Sequence, residues 1–141
     1  MSEGLTLHFN VDGEDFTSAG QASVQVKKNL RQLGLSPETI RRVSIAMYEG
    51  EINMVIHAGG GDADIMISEE YIDIVLKDNG PGIENIEKAM QEGYSTAPDN
   101  IRTLGFGAGM GLPNMKRYSD YMDIHSEVGV GTTITMRINI E

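Results

Sequence analysis

The sequence predicts an α+β protein built as a two-layer α/β sandwich, with an antiparallel sheet on one side and helices on the other. Three observations carry that prediction. Short segments alternate apolar and polar residues with a period of two, longer ones repeat apolar residues at helical spacing, and glycine-centred turns separate them. At 141 residues the chain is sized for one compact domain over residues 1–141. With 40% hydrophobic and 23% charged residues it has the composition of a folded globular protein rather than a disordered one.

The elements follow in order. Leu5, Leu7, Phe9 and Val11 alternate with Thr6, His8 and Asn10, which predicts an opening strand with one buried face. Between Ser18 and Leu33, Ala22, Val26, Leu30 and Leu33 recur at helical spacing, and Gly34 stands where a left-handed terminator belongs. Ser36-Pro37-Glu38 combines a capping hydroxyl, a proline at the first helical position and an acid in the first turn. The helix it starts should run to about Ala58, where Gly59-Gly60-Gly61 stops it. Asp64 to Ser68 and Tyr71 to Lys77 read as strands, Glu84 to Gln91 as a short helix, and Glu92 to Gly111 as a long loop without periodicity. A helix from Pro113 to about Tyr118 follows, and Tyr121 to Ser126 with Thr132 to Ile140 close the chain as a hairpin.

Net charge and residue usage exclude several functions. A formal charge of -10 repels nucleic acid and anionic membranes, so neither is expected as a partner. The absence of cysteine removes disulfides and thiolate metal sites and suits a reducing, cytoplasmic setting. No run of 18 apolar residues and no basic-then-apolar leader pattern is present.

Four groups of residues suggest a site. On the strand period, Asp78 falls on the same side as Ile72, Ile74 and Leu76, so a carboxylate is aimed inward and needs donors. At about 100° per residue, Arg41, Ser44, Tyr48 and Glu51 share a polar stripe assigned to solvent, while Glu49 groups with Ala46, Asn53 and Ile56 and faces inward. Thr132 lies on the inward face of the last strand with Ile134, Met136 and Ile138. The run Gly105-Phe106-Gly107-Ala108-Gly109-Met110-Gly111-Leu112-Pro113 leads into a helix start and reads as a phosphate cradle, because glycine lets backbone approach a ligand and helix N–H groups favour phosphate oxygens. It has neither the dinucleotide register nor a following Gly-Lys-Ser/Thr. Taken singly, each feature also has a plain structural reading: an Asp-Asn-Gly turn, a Glu-Asn pair bonded along a helix, a core threonine, a flexible linker.

Together, Glu49-x-x-x-Asn53, Asp78-x-Gly80-x-Gly82, Gly107-x-Gly109-x-Gly111-Leu112-Pro113 and Gly131-Thr132 resemble the four nucleotide boxes of the GHKL (Bergerat-fold) ATPases. Within them the chain is similar to the anti-sigma regulatory factor and serine kinase group. Met90 to Thr96 and Gly109 to Arg117 look most like its stressosome switch kinases. The resemblance implies the Bergerat fold and binding of ATP with magnesium. It assigns Asp78, with Gly80 and Gly82, to the adenine end, and Thr132 to the same group through water. It assigns Asn53 to magnesium, Gly105, Gly107, Gly109, Met110, Gly111 and Leu112 to the phosphates, and Glu49 to the general base. Two departures stand out. Gly50 and Glu51 follow the base where the group has a small residue and then an apolar or neutral one, and Ala97 to Leu104 is longer than the switch kinases' glycine link. Glycine inside a helix costs about 0.5 to 1 kcal/mol relative to alanine, which predicts a close packing contact at Gly50.

No dimerisation helix with a phospho-accepting histidine is recognisable, since His8, His57 and His125 read as ordinary strand or helix residues. The acceptor should therefore belong to another protein. The expectation is a serine/threonine protein kinase acting on a small STAS-type antagonist, with a stressosome component or a sigma factor as further partner classes, and with a homodimer allowed. The alternative is an ATP-dependent anti-sigma or adaptor module that binds its partner without modifying it. A stand-alone slow ATPase ranks third.

Overall fold

The computed structural model describes residues 4–12, 20–83, 86, 90 and 111–140. Five strands form one sheet: β1 (Leu5–Asp12), β2 (Gly60–Ile67), β3 (Tyr71–Lys77), β4 (Tyr121–Glu127) and β5 (Gly131–Asn139). Their spatial order is β1-β2-β3-β5-β4, and every neighbouring pair is antiparallel. Helices α1 (Gln21–Gln32), α2 (Pro37–Ala58) and α3 (Gly111–Tyr118) supply the second layer. The expected α+β sandwich is therefore what forms.

The pairing register explains why the apolar residues lie where they do. Phe9, Ala63, Leu76, Ile134 and Ile124 stand in one cross-strand row, and Leu7, Ile65, Ile74, Met136 and Met122 in the next. A strand's side chains alternate faces, so all of these point to the helical side. Val26 and Leu30 of α1, Val43 and Met47 of α2 and Met115 of α3 meet them and are fully buried. Each such side chain contributes about 1.5 to 3 kcal/mol. Gly50 faces Leu76 at the centre of this interface, and any Cβ there would collide with the leucine methyl. The predicted close contact is present.

Local chemistry sets the boundaries. Ser36 Oγ accepts from the Thr39 amide at 3.2 Å and starts α2, and Gly59 ends it at φ 73°. Gly60 and Gly61 do not extend that stop as expected; they already belong to β2, which begins four residues before Asp64. Backbone pairing with Asp12 and Val11 recruits them, and a side chain at Gly61 would strike the Lys77 carbonyl. The opening helix begins at Gln21 rather than Ser18, and α3 begins at Gly111 rather than Pro113. As an edge strand, β1 leaves Leu5 exposed and Leu7 and Phe9 half-buried, so the buried face expected there is complete only at Val11. The helix expected at Glu84 to Gln91 is represented by one helical hydrogen bond, Met90 N–H to the Ile86 carbonyl at 3.0 Å.

The expected exposure of Glu51 is also overturned. Glu51 is 3% exposed and does not face solvent. Its carboxylate accepts from the amides of Gly20 at 2.9 Å, Ala22 at 3.2 Å and Ser23 at 2.9 Å, and from Ser23 Oγ at 2.8 Å. The helical angle was right, but α1 packs over that part of the stripe. The first amides of α1 lack intrahelical acceptors and its N-cap is Gly20, which has no side chain to offer. Glu51 supplies the cap from the neighbouring helix.

Candidate functional site

The site is laid out along the C-terminal half of α2. Glu49, Asn53, Ile56 and His57 recur at four, three and one residue steps on one side of the helix, and all four are partly exposed. The first residue of α3 lies over this side because Leu112 and Met115 anchor that helix in the core. A Cβ placed on Gly111 would stand 3.8 Å from Glu49 Oε2 and 3.9 Å from Asn53 Oδ1. Thus two side-chain oxygens, one turn apart, converge beneath the start of α3.

Half-burial raises the Glu49 carboxyl above its usual range, because the charged form loses water; a hydrogen bond with Asn114 of α3 pulls in the opposite direction. A carboxylate held this way is a better proton acceptor than an exposed one. Burial also lowers the His57 imidazole below its ordinary value, which keeps it neutral at pH 7. The oxygen of Asn53 suits a hard cation that keeps most of its ligands as water and phosphate oxygen.

Asp78 directly follows β3 and is 8% exposed, as its inward placement predicted. Its Oδ1 accepts from the Gly80 amide at 2.9 Å and the Thr132 amide at 3.2 Å, while its own amide donates to the Thr132 carbonyl at 3.0 Å. Among the described residues none donates to Oδ2, so this buried acid presents a second acceptor. Thr132 is also buried, and its Oγ1 lies 2.8 Å from Ser126 Oγ. Ser126 Oγ in turn accepts from the Ile83 amide at 2.7 Å, and the Gly129 amide donates to the Pro81 carbonyl at 2.8 Å. The turn after Asp78 is thereby fastened to the β4–β5 hairpin.

Two glycines make that fastening possible. Gly82 has φ 81°, and a Cβ there would stand 2.5 Å from the Glu127 carbonyl oxygen. Gly131 has φ 148° and presses against the Asp78 carbonyl. Both conformations are ones that L side chains rarely adopt. Gly80 approaches the other side of the site: its Cβ would stand 2.7 Å from Ala58 Cα. Ala58 lies five residues beyond Asn53 on α2, about 7.5 Å along the axis. The turn that follows Asp78 therefore rests against the C-terminal end of the helix that carries Glu49 and Asn53.

The structure thus groups Glu49 and Asn53 beneath Gly111, and Asp78 with Gly80 and Thr132, while Gly82 packs on the β4–β5 hairpin and Leu112 is buried in the core. Gly105, Gly107, Gly109 and Met110 lie outside the described residues, as does the segment from Ala97 to Leu104. Asn114 and Ser126 were not singled out from the sequence. For Ser126 the signal was available, since the closing hairpin's register sets it opposite Thr132. For Asn114 there was none, because its contact depends on how α3 lies on α2.

The described residues thus set an inward acid just after β3 and a helix bearing Glu49 and Asn53 against the same sheet. The chain belongs to the histidine kinase-like ATPase domain family, which it matches over residues 14–138, and a domain of that family implies use of ATP. It is 31% identical to the anti-sigma F factor of Clostridium perfringens strain SM101 over 143 aligned residues, covering 97% of this chain and 96% of the relative. It is 32% identical to the serine/threonine-protein kinase RsbT of Bacillus subtilis over 118 residues, covering 80% and 83%. Solved structures agree on the fold. The RsbU and RsbW domains of a Mycobacterium tuberculosis protein superpose with a TM-score of 0.65 at 16% identity, over 96% of this chain and 32% of that one. The SiaB-SiaC complex of Pseudomonas aeruginosa gives 0.56 at 14% identity, over 95% and 89%.

Proposed function

We propose that this chain is an ATP-dependent serine/threonine protein kinase of the anti-sigma regulatory type, which transfers the γ-phosphate of ATP to a hydroxyl on a small STAS-type partner. The observation that carries the reading is the convergence of Glu49 and Asn53 beneath Gly111. Phosphoryl transfer needs in-line positioning and charge neutralisation more than covalent chemistry, and these residues supply both. Asp78 Oδ2 accepts from the adenine amino group, and the hydroxyl of Thr132 helps through water. Gly80 and Gly82 let the turn close on the base. Gly105, Gly107, Gly109, Met110, Gly111 and Leu112 offer backbone N–H groups to the phosphates. Asn53 Oδ1 holds magnesium, which when bound neutralises phosphate charge. Glu49 takes the proton of the attacking hydroxyl as the P–O bond to the leaving ADP opens.

A second reading, an ATP-dependent anti-sigma or adaptor module that binds without modifying its partner, draws support from the anti-sigma F factor relatives, which span nearly the whole chain. Recovering the partner with and without ATP, then incubating it with Mg-ATP and reading intact mass, separates the two. Added phosphoryl mass on the partner supports the kinase; tight ATP-dependent association without added mass supports the module. Glu49→Gln is expected to keep the nucleotide-induced thermal shift and to lose transfer by about 100-fold or more. Because the folded Glu49 carboxyl lies above its usual range, transfer should rise with pH through a limb placed above the ordinary carboxylate value of about 4.3. Unchanged transfer in the variant would reject this role for Glu49.

A further inference from the structure

We propose that the outer stripe of α1 is a docking surface for an acidic face of a partner protein. The proposal goes beyond the reaction, since a kinase and a binding module would need such a surface equally. Val24, Lys27, Lys28 and Arg31 fall within one stripe at helical spacing, opposite the fully buried Val26 and Leu30, and all four are exposed. In a chain of charge -10, α1 carries three cations and no acid, whereas the five strands carry six acids and two cations. Three other arginines among the described residues do have acidic partners within the chain: Arg42 with Asp120 at 2.8 Å, Arg137 with Asp73 at 2.8 Å and Arg41 with Glu38 at 3.4 Å. Lys27, Lys28 and Arg31 pair with no acid among the described residues.

The stripe is not accounted for by helix stability. A solvated helix face gains from interleaved opposite charges at i,i+4, and α1 has none. Only Arg31 lies in the last turn, where a cation complements the helix dipole, so Lys27 and Lys28 gain little from that source. The platform is also firm, because Glu51 binds the first turn of α1 with four hydrogen bonds to α2, two residues from Glu49.

Charge complementarity selects the occupant. Three cations release too few counterions to hold a nucleic acid against the acidic remainder, and Val24 alone, 58% exposed, is no apolar stripe for a membrane. It is suited to an apolar contact beside charge, as protein interfaces use it. A second copy is the weaker match. Its sheet acids Asp64 and Asp73 are already paired with His8 and Arg137, and helix-to-sheet contact would be head-to-tail and open-ended.

The test titrates the isotope-labelled full chain with a short Glu- and Leu-rich helical peptide and reads backbone amide shifts. Shifts centred on Val24 to Arg31, abolished by high salt and weakened at least about tenfold in Lys27→Glu/Lys28→Glu/Arg31→Glu, are expected. Lys27→Gln/Lys28→Gln, with thermal stability measured alongside, serves if charge reversal unfolds α1. The proposal is overturned by no shift at millimolar peptide, by shifts centred elsewhere, by equal binding to the variants, or by tighter binding of duplex DNA or phosphatidylserine vesicles. It is equally overturned if light scattering shows self-association that the same substitutions remove. None of these outcomes depends on transfer, so the proposed reaction can fail separately.

Discussion

Single residues decide the chemistry here through burial and its compensation. Asp78 is held by two backbone amides on one oxygen, which makes the other oxygen available and oriented. Asp78→Asn should therefore remove most of the stabilisation that excess ATP confers, about 2.7 kcal/mol at 100 times the dissociation constant, because the exchanged amide can present a donor where an acceptor is needed. A thermal-shift titration with Mg-ATP checks this, and an undiminished shift would remove Asp78 from the site. Glu51 illustrates the same physics in a structural role. Truncating it to alanine would leave three buried amides, of the Gly20 N-cap and of Ala22 and Ser23 in α1, without that acceptor, at about 1 to 3 kcal/mol for a buried donor. Chemical denaturation of Glu51→Ala should show a loss of at least about 2 kcal/mol, with the midpoint rather than the slope carrying most of the change.

Elements matter through how closely they approach. Helix α2 carries Glu49 and Asn53, and its distance from the sheet is set where Gly50 meets Leu76. Gly50→Ala gains helix propensity of up to about 1 kcal/mol but forces Leu76 off its position, and overpacking a filled core costs about 1 to 3 kcal/mol. The expected net effect is destabilisation together with weaker nucleotide binding, measured by thermal unfolding with and without ATP. A stabilised variant with unchanged affinity would show that the leucine can move freely. Helix α3 works differently: eight residues long, it is held by Leu112 and Met115, and its value is that Gly111 then roofs the Glu49–Asn53 pair.

At the scale of the molecule, the sheet and the helices form two layers of opposite charge tendency, and pH acts on both. Burial depresses the His57 imidazole in the folded state, so at pH values above about 6.5 neither folded nor unfolded chain binds the proton. As pH falls through about 6.5 the unfolded chain takes it up first, and stability drops. His8 has the opposite sign: Asp64 raises its pKa, so its contribution is present below about 6.5 and fades as pH rises through the folded value, and its full exposure leaves it open to screening by salt. Melting temperature measured from pH 7.5 to 5.5 in high salt should fall, and His57→Gln should flatten that fall. An identical slope in the variant would assign it to another group. Among the described residues no helix is long and apolar enough to cross a membrane.

The sequence alone determined the layers, the ends of α2, the inward acid at Asp78, the inward Thr132 and the shared helix face of Glu49 and Asn53. These follow from the periods of strand and helix and from capping residues, all of which act between near neighbours. Only tertiary structure decided that Glu51 is buried, that Gly60 and Gly61 belong to β2, that Asn114 bonds Glu49 and that Ser126 meets Thr132. A helical angle states which way a side chain points; what stands there depends on an element that arrives from elsewhere in the chain. For Glu51 that element was the uncapped start of α1, whose unsatisfied amides drew a buried carboxylate out of a stripe that looked like solvent.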